Sequence, residues 1–306
     1  MKSKRLSDLG EKELIRRIAS FLKTDRRVVK GIGDDCAVLE GFGGKLLLFA
    51  CDMLVEGVHF LGSAKPESVG WKALAVNVSD IAAMGGIPHH AVISLGLPRS
   101  TPIPWIDRLY GGFARCAREF GVNIVGGDTN RSEKKVIDVA ILGQVERNRV
   151  IYRSGARVGD LLFVTGRLGG SVRSGRHLTF VPRVREARAI AARVKPHAMI
   201  DLSDGLGPDL TRLCEASKVA ALLEADRIPR KKGTSLDSAL TEGEDFELLM
   251  AIGPREAAAV LSWARRNLSC GLTHIGKVVR PQKANLVRVS VPRGMKTPSL
   301  TGFQHF

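Results

Sequence analysis

Long apolar stretches are missing from this chain of 306 residues. The longest, such as Leu46 to Cys51 and Ala91 to Leu97, fall far short of the roughly 20 residues that a bilayer-crossing helix needs, so no membrane span is expected. An apolar leader with a small-residue cleavage site is missing too. Lys2, Lys4, Arg5, Asp8, Glu11, Lys12 and Glu13 scatter charge through the first segment, which argues against secretion. Cysteine is sparse and unpatterned: Cys36, Cys51, Cys116, Cys214 and Cys270 form an odd, widely spaced set with no C-x-x-C pair. That excludes a disulfide framework or a zinc finger and fits a reducing, cytoplasmic setting. Tyrosine (2) and tryptophan (3) are scarce, and no run interleaves aromatic with basic residues, as a single-strand nucleic-acid surface would. Acid is the scarcest charge, 31 Asp and Glu against 47 Lys and Arg, for a net +16. Such a balance raises nucleic acid, an acidic membrane surface or polyphosphate substrates as partners, and the missing aromatic-basic pattern counts against nucleic acid.

What remains is ordinary globular protein. Hydrophobic content of 44%, charged content of 25% and a mean hydropathy of +0.01 exclude collagen-like and disordered classes. The length suits two domains at roughly 150 residues each. Residues Glu11 to Leu22 place Leu14, Ile18, Phe21 and Leu22 on one helical face with Arg16 and Arg17 opposite; this reads as an amphipathic helix whose apolar side covers the core. Further on, short strand-like runs lead into glycine and aspartate: Arg27 to Lys30 before Gly31-Ile32-Gly33-Asp34-Asp35, Leu46 to Cys51 before Asp52, Asn123 to Val125 before Gly126-Gly127-Asp128, and Ala198 to Ile200 before Asp201-Leu202-Ser203-Asp204. The pattern predicts carboxylates gathered at strand ends. Helices are predicted from Pro66 through Met84, with Asn77, Asp80 and Met84 on one face, from Ile106 to Glu119, and from beyond Gly207-Pro208 to Ser217. Strands mixed with helices indicate an α/β or α+β architecture. The polar stretch Glu146-Arg147-Asn148-Arg149 marks the boundary between two domains of similar size.

One aspartate beside glycine is turn chemistry. Four or more such sites in an acid-poor chain point instead to a hard divalent cation bridging carboxylates to substrate phosphates, with Mg²⁺ the natural candidate. Basic excess beside clustered acids suits a nucleotide enzyme. It is not a P-loop enzyme, since Gly43-Gly44-Lys45 continues into Leu46, nor a Rossmann enzyme, since acid follows Gly31-Ile32-Gly33 where pyrophosphate would sit. Nucleophilic catalysis has little support: no G-x-S-x-G elbow is present, His89 and His90 read as a loop pair, and His59 alone could meet a phosphate or ring.

Taken in order, several segments resemble the thiamine-monophosphate kinase family. They are Gly31-Ile32-Gly33-Asp34-Asp35-Cys36-Ala37-Val38, the Asp52 to Phe60 stretch with His59, Lys72 to Gly85 with Asn77-Val78-Ser79-Asp80, Gly126-Gly127-Asp128-Thr129, Arg153-Ser154-Gly155-Ala156, Asp201 to Leu206, Gly243 to Leu248, and the ending Gly302-Phe303-Gln304-His305-Phe306. The resemblance implies the two-domain fold of aminoimidazole ribonucleotide synthetase, α/β (α+β) in class. An N-terminal mixed sheet with helices, residues 1–147, pairs across a homodimer, and an α/β domain, residues 148–306, follows. It implies ATP- and Mg²⁺-dependent phosphorylation of thiamine monophosphate by direct in-line transfer. Several Mg²⁺ ions fall to Asp34, Asp52, Asp80, Asp128, Asp201 and Asp204, with Cys51 offering its backbone carbonyl. K⁺ is a further candidate ion. Tyr110, Gly127, Asp128, Arg153 and Ser203 are assigned to ATP, His59, Glu244 and Phe303 to thiamine monophosphate, and Asp34, Asp128 and Asp204 to the transfer itself. A phosphate-monoester acceptor with a second pKa of about 6 is largely ionised at neutral pH and needs no general base.

Three features depart from the family pattern. Ala50-Cys51 stands where a hydroxyl residue is common, Glu242 replaces a glycine, and Gly169 to Arg185 is short enough to remove a helix and part of the nucleotide cover. Two other readings stay open. A sibling ATP enzyme should carry an N-terminal cysteine near its glycine loop or a cysteine-bearing tail, and neither is found. A basic nucleic-acid-binding protein on a decayed enzyme fold should have lost its metal carboxylates, and all are present.

Overall fold

Alternating apolar residues make β3 (Lys45–Val55) and β6 (Val136–Glu146) partners over their full length, from Lys45↔Glu146 to Val55↔Val136. Leu46, Leu48, Ala50 and Leu54 of β3 point inward with Ile137, Val139, Ile141 and Val145 of β6, as a period of two requires. With β1 (Val28–Lys30), β2 (Ala37–Glu40), β4 (Ile87–Leu97) and β5 (Asn123–Arg131) they form a six-stranded sheet in the order β1-β2-β3-β6-β4-β5. Only its β4/β5 pair is parallel. A second six-stranded sheet, β12-β9-β11-β7-β10-β8, is built from β7 (Leu161–Thr165), β8 (Ala198–Asp201), β9 (Ala220–Glu224), β10 (Leu248–Ile252), β11 (Leu272–Val279) and β12 (Val287–Ser290). These are the two mixed α/β halves that the alternation of elements predicts. The computed structural model describes residues 5–282, 286–292 and 298–302. None of its described helices is long and apolar enough to cross a membrane.

Between the sheets runs α2 (Pro66–Ala83), apolar nearly all round and buried on every side, as such a helix must be. Pro66 opens it, and Gly85 at φ +72° lets the chain turn away after its end. α3 (Ile103–Phe120) lies against it at very close range. A Cβ on Gly70 would sit 2.1 Å from the Leu109 carbonyl oxygen, and one on Gly112 would sit 2.0 Å from that of Glu67, so only glycine permits this crossing. One core runs from the inner face of the first sheet through α2 to Phe163, Met199 and Met250 on the second. A separate core lies on the far face of the second sheet, beneath α5 (Leu206–Ser217). Trp71 Nε1 donates to the Phe180 carbonyl at 2.7 Å, and Phe180 stacks on Phe246 at 4.1 Å. The first contact ties α2 to the second half, and the second holds Phe180 in place there.

Several local expectations need correcting. β3 continues through Asp52 and β5 through Gly126-Gly127-Asp128, so those aspartates lie inside strands; pairing along the full length of a neighbouring strand outweighs the local preference of Gly and Asp for turns. His89 and His90 belong to β4, not to a loop. The first helix, α1 (Glu11–Ala19), ends before Phe21 and buries none of its residues; Ile18 is 48% and Phe21 75% exposed. Its apolar side therefore does not cover the core. α1 is tethered by the Lys12–Glu215 ion pair at 2.5 Å. The short segment before α4 (Val184–Ala191) holds a single turn of 3₁₀ helix, Arg176–Leu178, and no α-helix between Thr165 and Val184.

Candidate active site

A cleft of about 1020 Å³ opens between the two halves, and the carboxylates converge at its floor. The turn after β1 supplies Asp35 with Asp34 beside it, β3 supplies Asp52, the last turn of α2 supplies Asp80, and the end of β8 supplies Asp201 with Asp204 just beyond. Carboxylate oxygens of Asp35, Asp80 and Asp201 all lie within 4.8 Å of one another. Backbone and hydroxyl donors hold this geometry. Asn77 Oδ1 accepts from the Asp52 N–H at 3.1 Å, Ser79 Oγ donates to Asp201 Oδ2 at 2.5 Å, and the Arg153 N–H donates to Asp34 Oδ1 at 3.0 Å.

Such crowding resists ionisation. Burial, followed by repulsion from Asp52 and Asp201, pushes the Asp80 carboxyl well above the usual range. Burial and Asp35 do the same to Asp201. Burial raises Asp35 against the pull of Arg153, whose Nη2 and Nε donate to Asp35 Oδ1 at 2.6 and 3.1 Å. Burial also pushes Asp52 and Asp34 up to about 6. Asp34 Oδ2 and Asp35 Oδ2 are buried with no hydrogen-bond partner among the described residues. Buried acceptors without donors, facing further carboxylates, are what a divalent cation satisfies. The donor set is therefore fit for Mg²⁺. It can gather phosphate oxygens around a metal, and Arg153 can add a planar cation.

The rim of the cleft carries the other expected residues. His59 lies in the turn after β3, its Nδ1 accepting the Val55 N–H at 3.0 Å. Ser203 follows β8, and its carbonyl accepts the Glu244 N–H at 2.7 Å. Glu244 adopts φ +57°, an uncommon conformation for a residue with a Cβ. Its Oε2 lies 2.6 Å from Lys72 Nζ. Asp204 pairs with Arg212, which also donates to Asp209 Oδ1 at 2.5 Å, and Asp209 in turn accepts the Asp204 N–H at 3.0 Å.

Three expected residues, Asp128, Gly127 and Tyr110, do not line this cleft within one chain, and the Cys51 thiol points away from it. The register Met53↔Asp138, Asp138↔Ser94, Ser94↔Asp128 puts Asp128 on the outer face of the first sheet, opposite to Asp52. At roughly 4.8 Å per strand it lies about 14 Å from β3. Its oxygens accept from Thr129 N at 2.8 Å and Asn130 Nδ2 at 3.0 Å. Gly127 beside it admits β4, since a Cβ there would sit 1.7 Å from the Ile93 carbonyl oxygen. Tyr110 is on α3, half-exposed and 5.5 Å from the Phe113 ring. The Cys51 thiol also faces outward, donates to Asp138 Oδ1 at 3.2 Å, and is pushed up to about 12 by burial and that hydrogen bond. Only its backbone carbonyl is left as a ligand. Phe303 lies outside the described residues.

Conversely, Lys72, Ser79 and Asp209 belong to the arrangement although the motif reading gave them no role, and Asp35, read only as one of the clustered acids, is a member of the cation group. For Lys72 a signal existed: Lys72, Val76, Ser79 and Asp80 follow i, i+4, i+7, i+8 spacing in an apolar helix, which aligns them on one face. Asp34 and Asp35 are adjacent, and which one enters a cluster depends on the turn.

Comparison with known proteins agrees with this architecture. Residues 33–145 match the family model described as AIR synthase related protein, N-terminal domain, and residues 157–288 match its C-terminal domain. The chain is 36% identical over 293 residues to thiamine-monophosphate kinase of Synechococcus elongatus, covering 85% of this chain and 87% of that one. It is 37% identical over 302 residues to thiamine-monophosphate kinase of Aquifex aeolicus, covering 90% and 93%. Among solved structures it is similar to AaThiL complexed with AMPPCP and TMP, with a TM-score of 0.85, 34% identity and 100% of both chains covered.

Proposed function

The chain belongs to the thiamine-monophosphate kinase family of AIR synthase related proteins, and on that premise we propose that it transfers the terminal phosphoryl group of ATP to thiamine monophosphate in the cleft between its two halves. The observation that carries this placement is the close triad Asp35, Asp80 and Asp201, with an orphaned carboxylate oxygen beside Arg153. Mg²⁺ held by Asp34, Asp35, Asp52, Asp80, Asp201 and Asp204, with the Cys51 carbonyl, would supply the positive charge that lets two polyanions meet. K⁺ is a variable to test beside it.

The chain's own groups do the rest. Arg153 spends two of its donors on Asp35 and keeps others for phosphate oxygens. Ser203 contacts the nucleotide, while His59, Glu244 and Phe303 receive the thiamine moiety. Glu244 offers a carboxylate to a cationic heterocycle and Phe303 an aromatic face. Asp34 and Asp204 border the transfer. The acceptor oxygen is already ionised, so no side chain has to remove its proton.

We place the domain division at 147/148 and assign a homodimer formed through the outer face of the first sheet, where Phe49, Met53, Val92 and Val125 are exposed. Bare apolar surface on a sheet face marks an interaction site. A second copy seated there would bring its Gly127 and Asp128 to the interface, which supports a role for Asp128 across the dimer. Five free cysteines without a disulfide support a reducing, cytoplasmic location.

The test incubates the purified chain with ATP, Mg²⁺ and thiamine monophosphate, with thiamine in parallel, and follows ADP and thiamine diphosphate. Diphosphate formed only from the monophosphate is expected. No diphosphate across a range of Mg²⁺ and K⁺, or diphosphate made from thiamine, would overturn the proposal.

A further inference from the structure

Among the described residues, no lysine or arginine other than Lys72 is buried. Its side chain is 1% exposed, and an ammonium so placed must be paired. It sits near the start of α2 and reaches in two directions. Nζ donates to the His59 carbonyl at 2.8 Å, and the same atom lies 2.6 Å from Glu244 Oε2. His59 belongs to the N-terminal half and Glu244 to the C-terminal half, and both line the cleft.

The Glu244 segment needs such a hold. Glu244 at φ +57° and Phe246 at φ +48° are both in the left-handed region, where a side chain is tolerated only if its surroundings enforce it. Backbone bonds from Glu244 N to Ser203 O at 2.7 Å and from Phe246 N to Leu202 O at 2.8 Å fix the segment to the loop after β8. Neither bond orients the Glu244 carboxylate. Lys72 does. Opposite, the Val55 N–H fixes the His59 ring and Lys72 fixes its carbonyl.

We propose that Lys72 is a positioning residue for the acceptor substrate, a buried amine that clamps the His59 turn and the Glu244 carboxylate at one spacing so that both face the thiamine moiety together. The inference rests on the assignment of this cleft to thiamine monophosphate. It separates the two substrates: the triad and Arg153 take the phosphates of ATP, whereas the direct contacts of Lys72 are with the two groups that hold the acceptor's cationic end. Removing its charge should harm acceptor binding and leave nucleotide binding alone.

Three full-length variants test this: Lys72→Met, which keeps the stem and loses the charge, Glu244→Gln, which breaks the pair from its more exposed side, and the double variant. With the wild-type chain as reference, KM for each substrate and kcat are measured, together with hydrogen exchange of the amides at 242–246. Lys72→Met should raise KM for thiamine monophosphate about tenfold or more, with KM for ATP within about twofold. Exchange at Glu244 and Phe246 should speed up in the same variant. The double variant should lose less than the product of the two single losses, because the Lys72–Glu244 contact is counted in both. Equal changes in both KM values, multiplying losses in the double variant, or unaltered exchange at 242–246 would overturn the inference. Should Lys72→Met not fold, Lys72→Gln takes its place in the same KM comparison. A wild-type chain that does not turn over thiamine monophosphate would instead sink the assignment of the cleft, and the exchange data would still report on the clamp.

Discussion

Mg²⁺ should raise the melting temperature of this chain, and by more at pH 8 than at pH 5.5. Without a cation, burial lifts Asp34 and Asp52 to about 6 from an unfolded value of 3.8. A carboxyl whose folded pKa is raised holds its proton more tightly when folded, so its contribution favours the folded state at low pH and is lost as pH rises from about 4 through about 6. Mg²⁺ reverses this, because it binds the ionised form and must displace those protons. Two groups at about 6 are each about three-quarters protonated at pH 5.5 and almost fully ionised at pH 8, which weakens apparent binding at the lower pH about 17-fold. At a concentration of about 100 times the pH 8 dissociation constant, the stabilisation is then about 2.7 kcal/mol at pH 8 and about 1.1 kcal/mol at pH 5.5. Taking about 2.1 cal/mol/K of unfolding entropy per residue, these correspond to melting shifts of about 4 °C and about 2 °C. Differential scanning fluorimetry with Mg²⁺ against the same ionic strength of Na⁺ reads both. Equal shifts at the two pH values would refute the reasoning, and so would an undiminished shift in Asp80→Asn.

Asp35→Asn should lower kcat about 100-fold or more and abolish the Mg²⁺-dependent shift, whereas Cys51→Ser should change either by no more than about twofold, its thiol being turned to the opposite face; steady-state kinetics of the two variants check this. If Asp128 acts across a homodimer, Asp35→Asn and Asp128→Asn chains, each nearly inactive alone, should recover about 25% of wild-type activity after mixing and re-equilibration, since half of the dimers then hold one intact site; no recovery would place Asp128 outside the partner's site. Arg188 clamps Glu146 through two bonds of 2.6 and 2.8 Å and holds its carboxyl down at about 2. A depressed folded pKa contributes stability above the unfolded value of 4.5 that is lost as pH falls towards 2. Glu146→Gln should therefore cost about 1 kcal/mol at pH 7, after discounting for solvent screening, and almost nothing near pH 2.5, as read from urea midpoints.

Much of the site could be read along the chain because its chemistry is local. Asp201-Leu202-Ser203-Asp204 lies at a strand end, and Asp80 faces the same way as Asn77 on a helix whose period is visible in the residues. Other parts were misread for a definite reason. Asp52 and Asp128 follow similar apolar runs into acid, yet β3 and β5 carry on through them, and one residue of register sends the two carboxylates to opposite faces of the same sheet. Nothing near Asp128 in sequence states its parity relative to β3, because that parity is set through β6 and β4. Likewise, the helical periodicity around Ile18 and Phe21 is real, but periodicity does not say whether the chain itself will cover the apolar side.

By itself the sequence determined the two mixed α/β halves, the carboxylates available to a cation, and the ordered motifs that define the family, since each depends on residue type and on spacing within one element. Only the tertiary structure decided that Asp35 joins Asp80 and Asp201, that Asp128 faces away, and that Lys72 spans His59 and Glu244. Those three facts depend on how α2 is enclosed by both halves and on where each strand falls in its sheet. Such contacts join residues as far apart as Ser79 and Asp201; they arise from packing and register, which no local pattern encodes.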